Sequence, residues 1–75
     1  MAKAHLYRIR VAEQIDDQWA EWFSPLVICS QAGGHTILSG PLRDQGELYG
    51  MLIKVRDLNL TLLEVTRLDP LSSTS

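Results

Sequence analysis

Along LYRIRVAE, residues 6–13, apolar and polar positions alternate, so Tyr7, Ile9 and Val11 share one side and Arg8 and Arg10 the other. That period of two is the mark of a half-buried strand. The period then changes. In IDDQWAEWFSPL, residues 15–26, Trp19, Trp22, Phe23 and Leu26 recur at i, i+3, i+4 and i+7, which gathers them within about 100° of a helical wheel. Asp16 or Asp17 stands where a helix N-cap belongs, and Ile15 just before it can staple onto the apolar face. Ser24-Pro25 ends the segment, because a residue ahead of proline avoids helical angles.

Two short apolar runs follow, LVICSQ (26–31) and HTILSG (35–40), joined by AGG, a glycine-bearing hairpin connection. Gly40-Pro41 is expected to break that pairing. The next segment, RDQGELYGMLIKVRDLNL (43–60), has Asp44 as cap with Glu47 three residues on, the capping-box spacing. Asn59 suits the left-handed angle that terminates such a helix. The last run, TLLEVTRL (61–68), is rich in strand formers and sends Leu63 and Val65 one way, Glu64 and Thr66 the other.

The order β-α-β-β-α-β with short connections predicts an α+β ferredoxin-like sandwich. With right-handed crossovers this is a four-stranded antiparallel sheet of order 4-1-3-2, both helices on one face and the other face bare. Residues 1–68 form one domain in this reading. The end, DPLSSTS (69–75), offers nothing to bury and is expected to be a disordered tail. Arg8, Arg10, Glu64 and Thr66 then meet on the bare face as a solvated charge set.

Composition narrows the function classes. A chain of 75 residues is in the range where only about 60% of the unfolded surface is buried, so assembly would help it. The net charge is −2 with scattered basic residues, which argues against nucleic acid or an anionic membrane as partner. No apolar run approaches the roughly 20 residues of a membrane span. MAKAHLYRIR lacks the apolar stretch of a signal peptide. The single Cys29 cannot form an internal disulfide, in keeping with the reducing cytoplasm in which the chain is placed.

Because this fold hosts unrelated functions, each activity must be sought in its residues. RNA-recognition domains stack bases on aromatics of the central strands, and here only Tyr7 is available, on the side of the helices. The loop after the first strand, AEQIDD, has no C-x-x-C for a metal and no anion-binding arginine of the acylphosphatase kind. Cys29, between Ile28 and Ser30, has no adjacent base and reads as a packed or half-buried thiol. His5 and His35 lack metal-ligand spacing. AGG precedes a strand and is a turn rather than a phosphate cradle. Asp16-Asp17 reads as a cap, and the shared helical face of Trp19, Trp22 and Phe23 reads as core. No catalytic residue, cofactor site or metal site is assigned.

The second helix carries the one local anomaly. Leu48, Met51, Leu52, Val55 and Leu58 gather on the side that must meet the sheet, and Gly46, Gly50, Ile53 and Asp57 on the opposite side. Each glycine costs about 1 kcal/mol relative to alanine in a helix interior, and Asp57 in the last turn opposes the dipole. Local violations of this sort belong where a surface serves more than folding. A flat strip would let another backbone approach, with Tyr49 and Ile53 as apolar contacts. Tolerated surface glycine is the simpler account.

The chain resembles a group of small bacterial proteins with no assigned activity. Their pattern reads Y-R-I-x-V, D-x-x-W-x-x-W-F, G-T-x-L-x-G-P, D-Q-x-x-L-x-G-x-L and R-D-L-x-L-x-L-x-x-V. Here these fall at Tyr7 to Val11, Asp16 to Phe23, His35 to Pro41 with His in place of Gly, Asp44 to Leu52, and Arg56 to Val65. Gly50 falls on the pattern and Gly46 departs from it. The resemblance implies the fold and brings no catalytic residues.

The expected function is therefore non-enzymatic: an interaction module that self-associates as a homo-oligomer or docks on a protein. Two surfaces are candidates. One is the bare sheet face with Val27, Cys29 and Leu38, beside the apolar edge LVIC. The other is the strip of Gly46, Tyr49, Gly50 and Ile53. The alternative is a small-ligand sensor resembling ACT-type regulatory domains, although their glycine after the first strand is missing from AEQID.

Overall fold

A computed structural model describes residues 4–68 of the chain; the expected tail, 69–75, lies outside the described residues. Its elements are β1 (His5–Val11), a 3-10 turn (Asp17–Trp19) leading into α1 (Ala20–Phe23), β2 (Val27–Ser30), β3 (Thr36–Leu42), α2 (Gln45–Asp57) and β4 (Leu62–Arg67). All strand pairs are antiparallel, in the order β2-β3-β1-β4. This is the expected order 4-1-3-2 read from the opposite margin.

Alternation in β1 places its side chains as expected, with Tyr7, Ile9 and Val11 buried. Cross-strand register carries the same side across the sheet, so Ile28, Leu38, Ile9 and Val65 lie in one row. Phe23 and Leu26 from the α1 region and Met51 and Val55 from α2 close over this side in a single core cluster with Ile9, Val11 and Leu38. Burying a side chain of this size contributes about 1.5–3 kcal/mol, so these few contacts hold both helices to one face.

The second helix follows its sequence closely. Asp44 Oδ1 accepts the Glu47 N–H at 2.9 Å, the expected cap. The return bond differs from a capping box: Glu47 Oε1 accepts from the Arg43 N–H at 2.6 Å, one residue earlier, and Arg43 Nε donates to Glu47 Oε2 at 3.1 Å. Asn59 has φ 59° and ends the helix as expected. Leu48, Leu52 and Leu58 pack against the core beside Met51 and Val55.

The first helical region departs from expectation. The first helical segment is short, and neither aspartate makes a side-chain cap bond. Its first turn is 3-10, advancing about 120° per residue, so the α-helical wheel does not hold: Phe23 and Leu26 are buried, Trp19 is half-buried and Trp22 is exposed. Gly40-Pro41 ends the pairing with β2, as expected, although β3 itself runs on. The β2 pairing stops at Val27 opposite Ser39, but β3 continues along β1 with Gly40 opposite Tyr7, Pro41 opposite Leu6 and Leu42 opposite His5. Proline has no N–H to donate, and beyond the end of β2 none is needed. In addition, β4 carries a bulge where β1 passes from Arg10 to Val11, so Leu63 has no partner residue.

Thr36 is fully buried and locks the loop after β1. Its hydroxyl donates to the Glu13 carbonyl at 2.8 Å and accepts the Ile15 N–H at 3.1 Å. Ile15 is thereby held in the core, where the sequence placed it.

Candidate interaction surfaces

The register builds the bare face of the sheet in rows. One row runs Cys29, Ile37, Arg10, Glu64 and the next Val27, Ser39, Arg8, Thr66. The expected charge set is therefore present: Arg10 Nη2 meets Glu64 Oε1 at 3.0 Å, and Thr66 Oγ1 donates to Glu64 at 3.2 Å. The face is apolar toward β2 and charged toward β4. The Nε–H groups of Arg8 and Arg10 are enclosed and have no acceptor among the described residues, a cost that a partner covering the face could relieve.

Of the residues expected on this face, Val27 is 60% exposed, and Cys29 is an exposed free thiol rather than the packed or half-buried one expected, because its side chain faces the bare side of the sheet. Leu38 is a correction. It lies opposite Ile9, fully buried under the helices, and has no surface to offer a partner. One step along β3, alternation turns Ile37 to the bare face, beside Cys29 and Arg10.

The α2 strip is on the outside, with Gly46, Tyr49, Gly50 and Ile53 all exposed. The two glycines separate on closer inspection. A Cβ on Gly46 would come within 3.3 Å of Asp44 Oδ1, so the helix cap gives Gly46 a local reason. A Cβ on Gly50 would meet nothing within 4 Å, and the fold does not require a glycine there. Gly50 borders a shallow groove of about 210 Å³ whose walls include Pro25, Leu42, Glu47 and Lys54. Asp57, expected to oppose the dipole, is approached by the Arg56 guanidinium at 3.4 Å.

Trp22 forms a further exposed feature. Lys54 donates to its carbonyl at 2.8 Å and holds its ammonium 5.4 Å from the ring centroid, a cation–π arrangement worth about 0.5–1 kcal/mol at an exposed site. Trp19 meets Trp22 edge-on at 6.3 Å.

The sequence reading missed a surface on β4. Leu62, Leu63 and Val65 are exposed, and so are Leu68, just past the strand, and Leu6, which accepts the Leu68 N–H at 2.7 Å. Alternating apolar residues in TLLEVTRL carry a signal for a strand, but none for whether a helix covers it.

Two carboxylates are tuned. Glu13 is held below the usual carboxylate range by the Thr61 N–H, bonded at 2.7 Å, and by the Thr61 hydroxyl, also at 2.7 Å. Glu47 is lowered by the Arg43 N–H and then by the Arg43 side chain. Both are ties at element ends. Among the described residues no three His, Cys, Asp or Glu gather as a metal site, and no helix is long and apolar enough to cross a membrane.

These features define a small α+β domain with an open four-stranded antiparallel sheet and two helices. The chain belongs to a family of domains of unknown function, DUF8691, whose model matches residues 6–66. That span begins within β1 and ends within β4. Comparison with curated proteins and with solved structures gives no significant match.

Proposed function

We propose that this domain is a non-enzymatic interaction module on a ferredoxin-like frame, which self-associates or docks on a protein partner. Its free, exposed Cys29 suits a reducing compartment such as a cytoplasm. The observation that carries the reading is the division of its apolar residues: among the described residues nine large apolar side chains are exposed, against ten apolar residues buried in the core. Single exposed apolar residues need no explanation. Five of these nine, Leu6, Leu62, Leu63, Val65 and Leu68, lie on or beside β4 or its neighbour β1, and more sit on the bare face and the α2 strip.

A small-ligand sensor is the second reading. A cavity of about 160 Å³ between the loop after β1 and the end of α2, with Ile15, Trp19, Leu58 and Leu60 in its walls, favours it. Ligand pockets usually measure roughly 300–1,000 Å³, so this one alone is small for an amino acid held on all sides.

Native mass spectrometry of the protein purified from its own host separates the two. The expected result is a folded species at a multiple of the 8.4 kDa subunit mass, or one carrying a second protein. A subunit bearing a small adduct would move the assignment to ligand sensing. A bare subunit at every concentration, with no protein cross-linked to it in cells, would end the interaction reading.

A further inference from the structure

We propose that β2 is the seam of a two-fold dimer of this chain, pairing antiparallel with β2 of a second copy about an axis that passes beside Cys29. It rests on the interaction reading above and names the partner and the surface. Strand edges are ordinarily guarded by shortness, by charge or by proline. At four residues β2 is short, but it has neither other guard: Val27–Ser30 contains no proline, and no Asp, Glu, Lys or Arg occurs from residue 22 to residue 42. Val27, Cys29 and Ser30 are exposed.

The hairpin to β3 fixes which backbone groups of β2 are free. Gln31 donates to the His35 carbonyl at 2.9 Å, so these residues form a hydrogen-bonded pair, and such pairs recur at every second residue of an antiparallel ladder. Counting back, Cys29 with Ile37 and Val27 with Ser39 are the bonded pairs. The N–H and C=O of Ile28 and Ser30 therefore point away from β3, and no hydrogen bond joins them to another described residue.

Symmetry then selects the register. A two-fold interface brings one patch against itself, and an axis at Cys29 sets Ile28 of each copy opposite Ser30 of the other, so that all the free groups are used. Moving the axis to Ile28 would set Ser30 against Leu26, whose N–H is already given to the Phe23 carbonyl at 2.8 Å. Moving it to Ser30 would set Ile28 against Ala32, in the turn beyond the strand.

The side chains of the bare face agree with this join. The seam brings the Val27, Cys29 and Ile37 sides of two copies together, while Arg8, Arg10 and Glu64 of each stay toward the far margins. Like charges are thereby kept apart across the axis. Area sets the strength: a strand of four residues spans about 13 Å, and so narrow a seam belongs with the exchanging interfaces below about 1,200 Å². The dimer is accordingly concentration-dependent.

Cys29 reports on the register. An axis there puts the two thiols in a non-hydrogen-bonded pair with Cα atoms about 4.5 Å apart, within the range that a disulfide spans. Copper-phenanthroline oxidation of the full chain should give a covalent dimer, and sedimentation equilibrium of the reduced chain should rise from the 8.4 kDa subunit mass toward twice that value between micromolar and millimolar concentration. Ser30→Pro removes an outward N–H and leaves the ladder to β3 intact, a position where edge strands admit proline. It should lose both the mass increase and the cross-link while circular dichroism stays unchanged. Val27→Lys, made at an exposed side chain, should do the same and keeps the test independent of whether the proline variant folds. A dimer that survives both substitutions would overturn the β2 seam and leave self-association standing, and Cys29 coupling at an unchanged rate in both would equally overturn the seam. A monomer at every concentration would overturn the seam and the self-associating half of the function, leaving docking on a foreign protein to the mass spectrometry above.

Discussion

The two margins of the sheet solve the same problem differently. Beside β2 the chain packs its own helix: α1 contacts the strand, Phe23 is fully buried and Leu26 nearly so, while Val27 and Cys29 stay exposed. At β4 neither helix does so, and Leu62, Leu63 and Val65 stay exposed. The approach to β2 carries core residues that serve folding, whereas the exposed side chains of β4 can change without disturbing the core.

The largest effect expected from this contrast is a mutational one. Phe23→Ala removes a fully buried aromatic at the β2 margin and should cost about 3–5 kcal/mol, close to the whole stability of a small domain. Leu63→Ala at the β4 margin should change unfolding of the monomer by no more than about 0.5 kcal/mol. Urea melts of both variants at low protein concentration check this. Comparable losses would mean that β4 belongs to the core after all. Repeating the Leu63→Ala melt at high concentration sharpens the comparison, since a cost that grows with concentration belongs to assembly.

The next effect is smaller and also lies near the β2 margin. A Cβ on Gly40 would come 2.8 Å from the Pro25 carbonyl oxygen and 3.2 Å from Leu26 Cα, so Gly40 lets β3 approach the backbone that leads into β2. Gly40→Ala must push that backbone away and should lower stability by about 1–3 kcal/mol, the usual cost of overpacking. Gly50→Ala, with open space around its Cβ, should stabilise the helix by about 1 kcal/mol. If Gly50→Ala destabilised the isolated domain, the strip on α2 would have an internal role.

How much of this was legible in sequence depended on whether the deciding partner was local. The α2 helix was readable because its cap (Asp44), its apolar period and its terminator (Asn59) lie within the segment. The α1 region misled because Trp19 and Trp22 fit a helical period by spacing alone, while a 3-10 turn rotated Trp22 outward. Thr36 gave no signal, since its partners Glu13 and Ile15 are more than twenty residues away. Leu38 and Ile37 were interchanged because HTILSG is apolar on both sides, and only pairing with β1 fixes which residue faces in. The exposure of β4 was invisible for a related reason: alternation marks a strand with one apolar side and leaves open what covers it.

The smallest effect concerns what holds the open margin in place. Glu13 reaches from the loop after β1 to Thr61 at the start of β4, accepting both its N–H and its hydroxyl. These bonds favour the carboxylate, so its pKa is lower in the folded chain than the ordinary 4.5. A depressed carboxylate contributes stability that is fully present above the unfolded value and is lost as pH falls through the folded one. The β4 margin should therefore begin to loosen below pH 4.5 and lose this tie once Glu13 is protonated, whereas the β2 margin has no such carboxylate tie among the described residues. In an NMR titration the Thr61 amide should shift with a midpoint below 4.5 while the Ile28 and Cys29 amides stay still. Glu13→Gln should abolish the Thr61 transition and flatten the acid limb of the melting temperature. A Thr61 midpoint at or above 4.5 would show that the tie does not persist in solution, and the start of β4 would then lack the anchor that distinguishes it from a free edge.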